Sequence, residues 1–348
     1  MGFIQFYFGL PIAMVVICLV FIPIYHRLKV FTAYEYLETR FDLKTRTLTA
    51  ILFLVQRGLA AGITIFAPSI ILSAVLGWNL IYLNVGIGLL VIIYTVSGGT
   101  KAVSVTQKQQ MAVIFLGMLI AFLIIVNYLP LDVTFNKALE IAGASGKLEV
   151  LDFSFDLENR YTVWTGLIGG TFLMLSYFGT DQSQVQRYLS GRSMKEMQMG
   201  MIFNGLLKVP MQFFILLVGV MVFVFYQFEP APINFNPKAI EVVKNSSYAD
   251  EFKVLELELS QIQDLKRMRL LDENSINLEE VARLDVQEKQ IRKQAKTLIK
   301  KAAPEIETND KDYVFISFIL KYLPQGSGCS ELLPNNFDSY DPRKSCNQ

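Results

Sequence analysis

The sequence has few of the side chains from which soluble enzymes and metal sites are built. It contains one histidine, His26, and three cysteines among 348 residues, and 18% of the residues are charged. A single histidine argues against a histidine-based metal centre, and a formal net charge of +1 gives no global field that would attract nucleic acid. The apolar segments contain no paired carboxylates and no nucleophile motif, so a membrane enzyme is the least favoured class, and we expect no organic cofactor and no metal centre.

Long apolar runs dominate what is present. Hydrophobic residues make up 52% of the chain, which is too large a share for an ordinary soluble domain. Because a helix needs about 20 apolar residues to cross a bilayer, six segments predict transmembrane spans within residues 1–228. They are residues 3–25, 48–77, 80–96, 111–129, 161–179 and 201–226. No basic residue precedes the first segment, which indicates a retained span rather than a signal peptide.

Basic residues between the spans predict their orientation. Lysine and arginine collect after spans one, three and five, and loops with this bias face the cytoplasm. They are Arg27, Lys29, Arg40, Lys44, Arg46, Lys101, Lys108, Arg187, Arg192 and Lys195. The loop at residues 130–160 and everything after the sixth span are then extracytoplasmic. We therefore expect a multi-pass protein of the plasma (inner) membrane, with the lipid bilayer as a partner.

The composition changes after the sixth span. Residues 229–311 form a charged insert in which apolar residues recur at helical spacing, and this pattern predicts a helical hairpin that turns at Asp272 to Ser275. A solvated, self-packed hairpin is favoured over a partner-binding surface. Residues 312–348 begin as an interfacial segment and end in a polar tail. Cys329 and Cys346 lie in this tail and could pair only if it is extracytoplasmic.

Polar and glycine residues inside the spans are the candidates for function. Lys208 lies in the sixth span, where the residues alone support snorkelling to the interface and a cavity-lining role equally. Gly166, Gly169 and Gly170 interrupt the fifth span, and close helix packing is favoured over a helix break that would line a cavity. Arg57 in the second span is predicted to be an internal hydrogen-bonding residue.

Three sequence motifs follow one another between the predicted spans. They are FTAYEYLETRF at Phe31 to Phe41, YTVSGGTKAVSVTQKQQ at Tyr94 to Gln110, and QVQRYLSGRS at Gln184 to Ser193. On these motifs the chain resembles the sodium:solute symporter family, which includes sodium-coupled sugar, proline, monocarboxylate, iodide and vitamin transporters. The resemblance implies an all-α membrane protein with part of an inverted-repeat, LeuT-like transporter fold. It also implies sodium as the coupling ion.

The resemblance further implies roles for individual residues. Tyr177 falls where sugar-transporting members have an aromatic gate beneath the substrate, and Lys208 falls where a lysine contacts that substrate. Met174 and Tyr7 stand where those members have a sugar-contacting asparagine and glutamate, which disfavours a sugar. Gln107 stands where many members have an acidic residue, which disfavours a cation-pathway role at this position. The residues of the first and third motifs are closer to those of the monocarboxylate, iodide and vitamin branch, which favours a small polar or anionic solute.

The family's architecture also raises an expectation about completeness. Members have about a dozen spans in two inverted five-helix repeats, and the first span here resembles the second core helix. We therefore expect a truncated member that does not perform sodium-coupled transport alone, because the missing helices would supply sodium ligands. The alternative is a non-transporting membrane scaffold or sensor that binds a partner through its helical insert.

Overall fold

Thirteen helices and no strand make up the secondary structure of the part of the chain that the computed structural model describes. That part comprises residues 1–28, 32–156, 159, 161–191, 193–271, 278–306 and 308–322. The helices are α1 (Gly2–Leu28), α2 (Ala33–Arg40), α3 (Leu43–Leu76), α4 (Leu80–Gly99), α5 (Ala102–Tyr128), α6 (Phe135–Ala144), α7 (Thr165–Gly179), α8 (Gln182–Leu189), α9 (Met194–Phe228), α10 (Pro237–Lys244), α11 (Ala249–Leu271), α12 (Leu278–Ala302) and α13 (Lys311–Tyr322). The all-α prediction is confirmed.

Within the described residues, five helices are long and apolar enough to cross a membrane: α1, α3, α4, α5 and α9. The apolar helix α7 is shorter. These six helices overlie the six predicted segments, although α5 begins at Ala102 rather than at residue 111. The intervening polar residues contain neither proline nor glycine, so nothing in them stops a helix. The number of spans and the domain boundaries stay predictions.

A kink at Gly99 separates α4 from α5. The backbone angles of this residue are φ 56° and ψ −155°, whereas the residues on either side continue as helix. Glycine reaches a positive φ without the clash that a Cβ atom would cause. The kink lies inside the segment Ser97 to Thr100, which the sequence predicts to be a turn.

The first of two compact units comprises residues 1–63, 95–231 and 260–288. Its core lies where α1, α7, α8 and α9 pack together, and α1 contributes the fully buried Leu10, Met14 and Ile17. Lipid tails are as apolar as these side chains, so close packing rather than hydrophobicity has to favour such contacts in a bilayer.

The second unit comprises residues 64–94, 232–259 and 289–348. Its buried apolar side chains include Val243 of α10, Phe252 of α11 and Leu298 of α12. Polar contacts add to this core: Lys296 donates a hydrogen bond to the carboxylate of Asp310 at 2.6 Å. The unit therefore has its own apolar core and its own ion pair.

The predicted hairpin is present as α11 and α12, and its turn at Asp272 to Ser275 lies outside the described residues. Lys266 of α11 is 2% exposed, and its Nζ lies 2.8 Å from Asp285 and 2.6 Å from Glu288 of α12. Because loss of this lysine would leave two partly buried carboxylates uncompensated, the triad fixes how the two helices face each other. The tail that carries Cys329 and Cys346 also lies outside the described residues.

Candidate functional site

Two helix caps shape the polar turn that leads from α7 to α9. The Asp181 carboxylate accepts a hydrogen bond from the Ser183 N–H at 2.9 Å and caps α8. The Ser193 hydroxyl accepts one from the Glu196 N–H at 3.2 Å and caps α9. Each cap satisfies a backbone donor that a helix start would otherwise leave free. The chain can therefore leave one apolar helix, turn through α8, and enter the helix that carries Lys208.

Glycines allow α7 to lie directly against α1. A Cβ atom on Gly166 would lie 2.1 Å from the Gln5 carbonyl oxygen, and one on Gly170 would lie 2.7 Å from the Phe6 carbonyl oxygen. A Cβ atom on Gly169 would meet nothing within 4 Å among the described residues. The first turn of α7 is π-helical, and the backbone stays helical through it. Two of the three glycines thus allow close packing, and the predicted helix break that lines a cavity stays a prediction.

Lys208 lies half-buried between two aromatic rings. Its Nζ is 5.9 Å from the ring centroid of Tyr7 and 5.7 Å from that of Phe178, both within cation–π range. No carboxylate in the described part of the chain forms an ion pair with this ammonium group. The structure therefore brings together two residues that the sequence singles out, Tyr7 and Lys208, and leaves the positive charge available to a ligand.

Met174 and Tyr177 lie one turn apart on α7 but in different surroundings. Met174 is buried in the apolar cluster of the first unit. Tyr177 is 39% exposed, and its hydroxyl accepts a hydrogen bond from Nε2 of Gln184 at 2.8 Å. Its ring meets that of Phe178 edge-on, with the centroids 4.9 Å apart. Phe178, which the sequence analysis did not single out, therefore lies between Tyr177 and Lys208.

Gln107 belongs to a different set of contacts. Its Oε1 accepts a hydrogen bond from Arg187 at 3.2 Å, which joins α5 to α8. No contact among the described residues joins Gln107 to the ring pair around Lys208. These contacts do not test the cation-pathway role, which the resemblance disfavours at this position.

Gln5 is a site residue that the sequence reasoning missed. Its side chain is 1% exposed, and its Nε2 donates to the carbonyls of Gly2 and Tyr161 at 3.2 and 3.0 Å. Its Oε1 accepts a hydrogen bond from the Asp152 N–H at 2.9 Å. Gln5 therefore ties the start of α1 to the chain that precedes α7. An amide inside an apolar run was the available signal, since such a group needs partners when water is absent.

The structure also identifies the partners of Arg57, which the sequence does not indicate. Its NH2 group lies 3.2 Å from the Asp181 carboxylate and donates to the Ser183 hydroxyl. These contacts agree with the predicted role as an internal hydrogen-bonding residue. Among the described residues, no three His, Cys, Asp or Glu side chains lie together as a metal site would require.

Known proteins resemble this chain in sequence. The model of the family "Sodium:solute symporter family" matches residues 1–254. Sodium-coupled monocarboxylate transporter 2 of Mus musculus is 35% identical over 53% of this chain and 29% of its own length. Sodium-dependent multivitamin transporter of Oryctolagus cuniculus is 36% identical over 61% and 33%. Sodium/iodide cotransporter of Homo sapiens is 33% identical over 61% and 32%. The chain spans about a third of the length of these relatives.

One solved structure resembles the fold. It is the substrate-bound outward-open state of a Na⁺-coupled sialic acid symporter, with a TM-score of 0.55 and 20% identity. The match covers 91% of this chain and 63% of that chain. This likeness confirms the prediction that the chain has part of a LeuT-like fold.

Proposed function

The chain belongs to the sodium:solute symporter family, and from this we propose that it serves sodium-coupled symport of a small solute. Family members are multi-pass proteins of the plasma membrane, and the long apolar helices agree with that location. The relatives are transporters rather than enzymes, and by their names they carry monocarboxylates, vitamins or iodide with sodium. The proposed solute is small and polar or anionic.

The environment of Lys208 carries the proposal of an anionic solute. An ammonium group that is half-buried within a spanning helix is costly unless a counter-charge compensates it. Two aromatic rings flank this one, and no carboxylate of the described residues pairs with it. A carboxylate or halide would supply the missing charge, whereas an uncharged sugar would not.

The neighbouring residues fit a compact solute with one charged end. In the proposed complex the ammonium of Lys208 holds the charged group, while the Tyr7 and Phe178 rings cover it from water. Met174, which lies buried in the apolar cluster of the first unit, offers no hydrogen-bonding group to a sugar hydroxyl. Tyr177 is the proposed gate of this cavity.

Sodium coupling has a thermodynamic signature that can be tested without measuring flux. If sodium raises the affinity for the solute by some factor, the solute raises the affinity for sodium by the same factor. In the proposed cycle both ligands bind near the bilayer midplane, and one helix bundle then rocks against the other. Binding in sodium and in choline therefore reports on coupling directly.

We predict that the purified chain in lipid nanodiscs binds radiolabelled lactate or iodide, and measurement in sodium chloride and in choline chloride shows whether sodium raises the affinity. Lys208→Met, which keeps the length of the side chain and removes the charge, should weaken this binding at least about tenfold, since a charged hydrogen bond is worth about 1.5–3 kcal/mol. Lys208→Arg should retain part of it. Saturation binding gives the dissociation constants.

Lys195→Met is the matched control, because Lys195 lies exposed in the first turn of the same helix α9. It should bind like the wild type. Binding that is equally tight in Lys208→Met would refute the proposed contact, and the absence of binding of either probe would refute the proposed solute class.

A further inference from the structure

An ion pair inside the first unit joins α3 to the start of α8. The NH2 group of Arg57 lies 3.2 Å from both carboxylate oxygens of Asp181, and it also donates to the Ser183 hydroxyl. The two charged side chains are 36% and 18% exposed. Arg57 is near the middle of a helix long enough to span the membrane, where an unpaired guanidinium is costly. The pair therefore compensates a charge that the fold places among apolar residues.

The contacts continue from this ion pair to Tyr177. The Ser183 hydroxyl donates to the Asp181 carboxylate at 2.7 Å, and Gln184 Nε2 lies 3.4 Å from the same hydroxyl. Gln184 Nε2 also donates to the Tyr177 hydroxyl at 2.8 Å. Three side-chain contacts, through Ser183 and Gln184, thus connect the guanidinium of Arg57 with the phenol of Tyr177, and Asp181 holds the first of them. No other polar contact of that phenol occurs among the described residues.

Further contacts hold α8 at both ends. The Oε1 atom of Gln182 accepts a hydrogen bond from the Ala33 N–H at 3.0 Å, which attaches the first turn of α8 to α2. Arg187, in the last turn of α8, donates to Gln107 of α5 at 3.2 Å. If Arg57 moves away from Asp181, the first turn of α8 therefore loses a contact while Arg187 still holds the last turn. Gln184 lies between these two points of α8.

We propose that Arg57 is a positioning residue for the gate Tyr177, acting through Asp181, Ser183 and Gln184. With the ion pair formed, Gln184 is held where its amide fixes the Tyr177 hydroxyl. When the pair separates, Gln184 loses that constraint and Tyr177 is free to turn. The effect on solute binding rests on the proposed function, whereas the effect of Arg57 on α8 is independent of it.

The chemistry of the pair explains why arginine is suited to this position. One guanidinium nitrogen lies 3.2 Å from both oxygens of Asp181 and donates to the Ser183 hydroxyl, and the planar guanidinium fixes the directions of its two N–H bonds. An ammonium group is a compact point charge without that fixed geometry. Lysine at position 57 should therefore preserve the charge but only part of the positioning.

Hydrogen–deuterium exchange of the chain in lipid nanodiscs tests the first step. Arg57→Gln should raise the exchange rate of the α8 amides about tenfold, because local opening becomes easier when a fixing contact is lost. Asp181→Asn should do the same, although asparagine keeps the helix cap. Arg57→Lys should lie between these variants and the wild type. Arg46→Gln is the matched control, since Arg46 pairs with Glu38 and leaves Asp181 untouched.

A double-mutant cycle tests the second step with lactate as the probe, in sodium chloride. Arg57→Gln should weaken binding about fivefold in the wild-type background, a coupling of ordinary size, without changing the number of sites. In a Tyr177→Phe background the same substitution should have no further effect, because the hydroxyl through which Arg57 acts is gone. A general loss of stability would weaken binding in both backgrounds.

The outcomes separate the two proposals. Unchanged α8 exchange in Arg57→Gln would overturn the positioning role, whatever the binding data show. An equal loss of affinity with and without the Tyr177 hydroxyl would overturn it too, because Arg57 would then act by another route. If the wild type binds no probe, the proposed solute class fails, and the exchange measurement still decides whether Arg57 fixes α8.

Discussion

Tyr188 is a buried phenol whose hydroxyl has no hydrogen-bond partner among the described residues. It lies in α8, outside the helices long enough to span the membrane, and packs into the apolar cluster of the first unit. Burial raises the pKa of this phenol above its ordinary value, because the charged form is disfavoured away from water. The buried hydroxyl therefore lowers the free energy of unfolding at neutral pH, and its ionisation would lower it further.

We predict that Tyr188→Phe is at least as stable as the wild type at pH 7 and gains up to about 1 kcal/mol, since an unsatisfied buried hydroxyl is removed. Below about pH 10 the phenol of Tyr188 is neutral in both the folded and the unfolded protein, so its contribution to the free energy of unfolding does not vary with pH. The pKa is raised only in the folded protein. Above that pH the unfolded chain ionises first, so the wild type should lose stability relative to Tyr188→Phe. Thermal unfolding at pH 7, 9 and 10.5 measures the difference.

The control for this measurement is Tyr36→Phe, at a partly exposed tyrosine of α2. At pH 7 it reports what the loss of a phenol hydroxyl does at a position that is not buried. A wild type that gains stability relative to Tyr188→Phe on going from pH 9 to 10.5 would contradict the burial argument.

At the residue scale, sequence reasoning identified charged groups better than their partners. A lysine within an apolar run is conspicuous, and this made Lys208 a candidate before the family resemblance was considered. Arg57 was equally visible, but its partner Asp181 lies 124 residues further along the chain. No local periodicity carries information about such a pairing, because it depends on which helices pack together. Gln5 was missed for the same reason.

At the scale of helices, the contact between α1 and α7 depends on two glycines of α7, which have no side chain. Carbonyl oxygens of α1 occupy the positions where Cβ atoms of Gly166 and Gly170 would lie. A backbone oxygen cannot move aside as a flexible side chain can, so even one methyl group has to push the helices apart. Small residues permit this kind of approach between membrane helices.

Gly166→Ala should therefore destabilise the protein by about 1–3 kcal/mol, the usual cost of overpacking. Gly169→Ala is the matched substitution in the same turn, where the added methyl group would meet nothing within 4 Å. It should be neutral or gain up to about 1 kcal/mol, since alanine favours helix more than glycine does. Thermal unfolding in detergent with tryptophan fluorescence compares the two. Equal losses in both would show that the contact with Gln5 is not what matters.

The lengths of the helices were less predictable than their existence. Apolar runs located all six helices of the predicted spans, because a segment that crosses hydrocarbon must consist mainly of apolar residues. The helix α5 begins nine residues before the predicted span, since its first turns are polar and hydrophobicity does not register a polar helix. Hydrophobicity marks where a helix is apolar, whereas glycine at position 99 marks where the helix stops.

At the scale of the whole molecule, the distribution of basic residues predicts which loops face the cytoplasm. Lys108→Cys and Lys293→Cys, each in a background without the three native cysteines, place a thiol at an exposed position of α5 and of α12. A membrane-impermeant maleimide applied to intact cells should label the second and leave the first unlabelled until the membrane is opened. Labelling of both from outside would contradict the predicted orientation.

The kink at Gly99 has a topological consequence. Residues 80–128 form 49 consecutive helical positions apart from that one, and a straight helix of that size would be about 74 Å long. The hydrocarbon core is about 30 Å thick, so such a rod would make one crossing and protrude far into the aqueous phase. With the count of crossings changed by one, every later loop would exchange compartments. On the predicted topology, the compartment that receives the charged insert therefore depends on the backbone torsion angles of Gly99, a residue without a side chain.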